Sequence, residues 1–180
     1  MIKKIIFLGA PGVGKGTLAK TLSKKENLEH ISTGDIFRYN IKNNTLLGKE
    51  VKSILAAGNF VSDDLTNKIV KNTIINKEGY ILDGYPRTIN QAKFLLDLVD
   101  IDDVILLDAT DQVVIERLTL RSEKEGRTDD TPEIISKRLE VYNKQTKPLI
   151  DFFKSKGILR KISVVGSRED NFKKLMDILK

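Results

Sequence analysis

The sequence predicts an α/β fold in three layers, with a central parallel sheet of about five strands and helices on both faces. Three observations carry this expectation. Short apolar, β-branched runs alternate with longer segments whose apolar residues recur at helical spacing. The runs 5–8 and 104–107 are apolar throughout, as in strands covered on both faces. A glycine-rich turn joins the first such run to the first helical segment. The length of 180 residues fits one domain with small insertions.

Residues 3–8 read as a buried strand, and 15–25, with Leu18 and Leu22, as the helix behind the turn. A short strand follows at 30–32. Three helices are expected at 35–41, 46–57 and 63–75, with Gly58 as a C-terminal cap. A strand at 80–82 ends at Asp83-Gly84, and a helix covers 90–98. The apolar strand 103–107 leads into a helix at 111–121 that Asp111 can cap. Residues 122–130 read as a polar loop. Thr131 then caps a long helix with Pro132 in its first turn; Ile135, Leu139, Tyr142, Leu149 and Phe153 mark its apolar face. Pro148 lies inside that pattern and should kink it. A strand at 158–165 and a helix at 168–179 close the chain. The segment 32–61 holds helices with no following strand, so it reads as an insertion rising from the sheet.

Composition narrows the function classes. The absence of cysteine excludes disulfides and thiol catalysis, and fits a reducing compartment. The apolar stretch after Met1 is too short for a signal peptide, and no run approaches a membrane span. A cytoplasmic location is expected. The net charge of +6 suits small polyanions, nucleic acid or an anionic surface. Its lysines are scattered in the manner of solvated faces. Arginine is scarce, with eight residues, and is the side chain that grips phosphate with a two-pronged fork.

The motif Gly9-Ala10-Pro11-Gly12-Val13-Gly14-Lys15-Gly16-Thr17 follows a strand and opens a helix, as a phosphate-binding P-loop requires. Glycines let successive N–H groups converge on phosphate oxygens, and the helix terminus adds partial positive charge. Lys15 can reach the β- and γ-phosphates. Asp83, at the end of a strong apolar strand, can hold Mg²⁺ through water beside that loop. No Asn-Lys-x-Asp guanine-reading motif occurs. The lone histidine, His30, precedes a strand end and reads as structural.

Four motifs together are specific. Gly12 to Thr17, with Gly and Thr after the lysine, resembles the P-loop of nucleoside monophosphate kinases. Ser32-Thr33-Gly34-Asp35-Ile36-Phe37-Arg38 resembles their monophosphate-site motif. The run Asp83-Gly84-Tyr85-Pro86-Arg87-Thr88-Ile89-Asn90-Gln91 resembles their Asp-Gly-aromatic-Pro-Arg motif. Gly126-Arg127-Thr128-Asp129-Asp130, followed by Arg138, resembles their lid. Within that family, Thr33 and Gln91 match the adenylate kinases, whereas kinases of UMP and CMP tend to carry Ala and Asn there.

The resemblance implies the reaction ATP + AMP ⇌ 2 ADP with Mg²⁺, by a P-loop NTPase-type core carrying a monophosphate-binding insertion at 32–61 and a short lid at 120–130. It implies a catalytic set of Lys15, Arg87, Arg121, Arg127 and Arg138. ATP would meet Gly12, Val13, Gly14, Lys15, Gly16, Thr17, Arg117, Arg121 and Arg168. AMP would meet Thr33, Arg38, Asn59, Phe60, Val61, Gly84, Tyr85, Pro86, Arg87, Gln91, Arg127 and Arg138. Asp83 and Thr17 would hold Mg²⁺ through water. The short, cysteine-free lid implies no structural zinc. The partners expected are ATP, AMP and ADP, with no nucleic acid or membrane, for a monomer. Asn59 stands where a lysine is common, and Leu18 where glutamine is common. Two other readings remain open: a UMP or CMP kinase of the same fold, and a nucleic-acid-binding NTPase or nucleotide sensor. A sensor would lose the lid arginines, which this chain keeps.

Overall fold

A computed structural model describes residues 3–125 and 131–180. Among these residues the strands are β1 (Lys4–Leu8), β2 (Glu29–Ser32), β3 (Tyr80–Asp83), β4 (Asp103–Asp108) and β5 (Leu159–Ser163). They form one sheet in the order β2-β3-β1-β4-β5. Every neighbouring pair is parallel, as the fully apolar runs foreshadowed.

The pleat divides the core in two. Ile5, Phe7, Ile81, Ile105, Leu107 and Ile162 point to one face. There they meet Leu18, Ala19 and Leu22 of α1 (Lys15–Glu26), Val114 and Leu118 of α6 (Asp111–Glu125), and Leu175 of α9 (Arg168–Leu179). Ile6, Leu8, Tyr80, Leu82, Val104 and Leu106 point to the other. They meet Val70 and Ile74 of α4 (Asp63–Ile74), Ala92 and Leu95 of α5 (Ile89–Leu98), and Leu149 and Phe153 of α8 (Pro148–Ser155). Successive strand side chains alternate between two helical layers, which gives the three-layer plan.

Between β2 and α4 the chain forms α2 (Thr33–Lys42) and α3 (Leu46–Ala56). These bury a small core of their own, Phe37, Val51 and Val61, backed by Ile41, Leu47, Leu55, Leu65 and Ile69. Ser32, Thr45 and Ser62 cap α2, α3 and α4 through their hydroxyls. At the end of α3, Gly58 N–H donates to Leu55 O and Asn59 N–H to Ile54 O, a Schellman closure with Gly58 at φ +75°.

Two expectations about the second half change. The segment 122–125 is the last turn of α6 and not loop. Glu123 and Lys124 are good helix formers, and no glycine intervenes before Gly126. The long helix expected after Thr131 is α7 (Pro132–Val141), a π-helical turn (Tyr142–Thr146), and then α8. Pro148 lacks an N–H and its ring crowds the carbonyl four residues back, so the ladder widens upstream and α8 restarts with the proline in its first turn.

Candidate active site

The parallel sheet gathers the motifs at one end. Phe7, Asp83 and Ser32 share one register level, so β1, β3 and β2 end together. The glycine turn, the Asp83–Gln91 run and the Ser32–Arg38 run therefore leave from one carboxyl edge, where ligands bind in such folds.

The turn between β1 and α1 uses left-handed backbone at Gly12 (φ +81°) and Gly14 (φ +107°). A Cβ at Gly12 would lie 2.5 Å from Leu118 Cγ, so the loop sits close on α6. Val13 is buried beneath it. Lys15 Nζ donates to the carbonyls of Gly9 (2.7 Å) and Ala10 (2.9 Å). Burial pulls its pKa down from 10.5 to about 8; Asp83 opposes the shift, while Arg87, Arg138 and Arg121 add to it. Those three arginines thus lie near enough to weigh on Lys15, although they come from three separate motifs.

Asp83 is buried at the end of β3, and a Cβ on Gly16 would lie 3.4 Å from its Oδ2. His30 Nε2 lies 3.1 Å from the same oxygen, which gives the lone histidine a positional role. Burial pushes the Asp83 carboxyl up, but the His30 hydrogen bond and the charges of Lys15 and Arg87 outweigh it and hold the group below its ordinary range. A single ionised carboxylate beside Gly16 fits a cation that arrives with phosphate and keeps most of its waters. Among the described residues no cluster of three or more His, Cys, Asp or Glu could cage a metal alone. Thr17 is exposed one turn into α1.

The second motif is organised around Gly84. Its carbonyl accepts from Thr33 Oγ1 (2.9 Å) and Arg87 Nε (2.8 Å). A Cβ there would lie 2.9 Å from both Thr33 Oγ1 and Arg87 Nη2, and φ is +81°, so glycine alone fits. Tyr85 and Pro86 are joined by a cis peptide. The Tyr85 hydroxyl donates to Asn67 Oδ1 (2.6 Å), and burial holds its pKa high. The Arg87 guanidinium lies 5.0 Å from the Phe60 ring centroid, which brings the end of the insertion onto the motif. Thr146 Oγ1, in the π-helical turn, donates to Arg87 O (2.8 Å). Arg38 pairs with Asp35 on α2, its guanidinium folded over Gly34. Val61 is buried and Asn59 exposed.

Gln91 is buried, with Oε1 accepting from the Arg87 N–H (2.7 Å) and Nε2 donating to Asp63 Oδ1 (2.9 Å). Sequence reasoning missed Asp63, which looked like an ordinary acid in the first turn of α4. It also missed the work of Arg117, which donates to Val13 O (2.8 Å) and Val164 O (2.7 Å) and ties the glycine turn to the end of β5. These partners lie 28, 104 and 47 residues away in sequence, beyond any local signal. Arg160 is exposed and pairs with Asp103 (2.7 Å) at the opposite edge of the sheet. Arg168 opens α9 and is exposed. Arg138 lies near Gly58, where a Cβ would be 3.3 Å from its Cγ. Arg127 and the rest of 126–130 fall outside the described residues, and with them the latter part of the expected lid at 120–130.

The adenylate kinase family model matches residues 7–158, which span all of these motifs. The chain belongs to the adenylate kinase family. It is 44% identical over 177 residues to an adenylate kinase of Leptospira biflexa, covering 94% of this chain and 95% of that one. It is 46% identical over 175 residues to one of Bifidobacterium longum, covering 93% and 94%. An adenylate kinase of Treponema denticola is 46% identical over 194 residues, covering 91% and 93%. The fold class, the phosphotransferase activity and the reaction ATP + AMP ⇌ 2 ADP accord with this membership. Nothing among these relatives favours a UMP or CMP kinase.

Proposed function

We propose that the adenylate kinase reaction runs in the cleft between Lys15 and the Gly84–Arg87 turn, with 32–61 as the monophosphate-binding insertion and 120–130 as a short lid. The observation that supports this reading most directly is the grouping of Arg87, Arg121 and Arg138 around Lys15. Apposing ATP and AMP brings several negative charges together, and a cation cluster is what makes that arrangement stable. The attacking AMP phosphate has a last pKa of about 6, so it is already ionised and needs no general base.

In this reading the N–H groups of residues 12–17 and the Lys15 ammonium hold the ATP phosphates, with Arg117 and Arg168 toward the ATP base. Arg38 and Arg87 hold the AMP phosphate, Thr33 and Gln91 face its base, and Asn59, Phe60, Val61 and Tyr85-Pro86 wall its pocket. Arg121, Arg127 and Arg138 offset the charge on the transferring group. Asp83 and Thr17 would hold Mg²⁺ through its waters, and the ion would supply charge neutralisation on the phosphates. A monomer working in the cytoplasm on free nucleotides suits the cysteine-free composition.

Arg87→Ala tests the assignment. It should lower kcat/KM for AMP by roughly 10- to 100-fold while the ATP dissociation constant stays within about twofold. AMP kinetics unchanged in a folded variant would overturn the placement of AMP.

A further inference from the structure

A glutamine amide can face a base in two ways that differ by a half-turn about its last bond. One way presents Oε1 where the other presents N–H. Adenine offers an amino donor at C6 beside an acceptor at N1. A 6-oxopurine offers the reverse, an acceptor at C6 beside a donor at N1. A glutamine free to turn over serves both equally, so its mere presence does not select adenine.

In this chain the amide is held. The Arg87 backbone N–H can only donate, so the atom it meets at 2.7 Å is Oε1. The Asp63 carboxylate can only accept, so the atom it meets at 2.9 Å is Nε2. Turning the amide over would set N–H against N–H and oxygen against carboxylate, two buried repulsions in place of two hydrogen bonds. Asp63 is itself fixed, because the same Oδ1 accepts from Thr88 Oγ1 (2.9 Å). Tyr85 Oη, its one proton given to Asn67, lies 3.3 Å from the Gln91 carbonyl oxygen, against the backbone behind the amide. One N–H and one lone pair of the amide remain, in a fixed order.

We propose that Asp63, with the Arg87 N–H, is a specificity-determining positioning residue: it locks the Gln91 amide in the sense that accepts a 6-aminopurine monophosphate and rejects a 6-oxopurine one. The inference rests on the reading that Gln91 faces the AMP base. A base tethered through ribose to a phosphate held by Arg38 and Arg87 has no freedom to reverse itself, so the order of donor and acceptor on the amide decides.

The test compares kcat/KM for AMP and IMP, which differ only at C6 and N1, in wild type, Asp63→Asn and Gln91→Ala. Asparagine at 63 can donate as well as accept, so it tolerates either sense of the amide. Asp63→Asn should narrow the AMP-to-IMP ratio by roughly tenfold, with part of the change a gain in IMP use. The ratio is internal to each sample, so a loss of folded protein does not alter it. An unchanged ratio in Asp63→Asn, with a collapsed one in Gln91→Ala, would overturn the lock while leaving Gln91 as the base reader. An unchanged ratio in both would overturn the placement of the base itself.

Discussion

Lys15 meets two demands that pull against each other. Its ammonium sits where water is scarce, within reach of the charges of Arg87, Arg121 and Arg138, and in the proposed reading it must be charged to hold phosphate. Burial and those neighbours bring its pKa to about 8, and Asp83 keeps it from falling further. In the folded protein the proton leaves through pH 8, while the unfolded chain keeps it to about 10.5. Over that interval the unfolded state binds more protons, so this group's contribution to stability rises with pH. Binding has the opposite trend. A triphosphate favours the ammonium, so above pH 8 binding must take up a proton, and ATP affinity should fall by up to roughly tenfold per pH unit. Calorimetric titrations at pH 7, 8 and 9, in two buffers of different protonation enthalpy, would count that proton. Lys15→Met should bind ATP more weakly and lose the pH dependence, whereas proton-neutral binding by the wild type at pH 9 would contradict this account. The glycine-lysine spacing named Lys15 as a phosphate ligand from sequence alone. The charges that tune it come from residues 68 to 123 positions further along, and only the fold brings them together.

At the scale of elements, the insertion depends on how closely α2 and α3 approach. A Cβ on Gly48 would lie 2.1 Å from Asn40 O and 2.7 Å from Ile41 N, so α3 rests directly on the α2 backbone. Thr45 reinforces the corner by capping α3 through Gly48 N–H (3.0 Å) and donating to Asn40 Oδ1 (2.8 Å). Gly48→Ala must force the helices apart, at about 1–3 kcal/mol in chemical denaturation. Because Phe37, Val51 and Val61 form a core separate from the sheet, the damage should stay local. The KM for AMP should rise while the ATP dissociation constant holds, and an equal loss for both nucleotides would show the insertion is not the AMP element. Sequence reading could not find this contact at Gly48, since nothing local reveals that a second helix lies against it. It located the strands and most helices because apolar periodicity and capping residues are local signals. It missed the last turn of α6, whose residues are polar yet strongly helical, and it placed the break near Pro148 without the wider turn upstream that accommodates the ring.

The whole molecule has two ends with different tasks. The motifs proposed to carry the reaction leave from the carboxyl edge of the sheet. At the amino edge, buried Asp103 meets Lys3 Nζ (3.0 Å) and Arg160 Nε (2.7 Å). Lys3 also donates to Leu179 O (3.2 Å) and Arg160 to Ile178 O, so one carboxylate joins β1, β4, β5 and α9. Asp103→Asn should cost about 1–3 kcal/mol in chemical denaturation, because partly exposed cations lose a buried partner. Its kcat/KM at 25 °C should stay within about twofold of wild type; a large kinetic loss would mean that the two edges are coupled. The sheet order also bears on the chain during synthesis. The central strand, β1, is synthesised before both of its neighbours, residues 80–83 and 103–108. At roughly 5–20 residues per second, β1 waits ~5–20 s for its second neighbour. An apolar strand left unpaired for that long invites association with other nascent chains. Lys3 before it, Lys4 at its start, and Lys15, Lys20, Lys24 and Lys25 after it flank the apolar run 5–8 with positive charge throughout the wait.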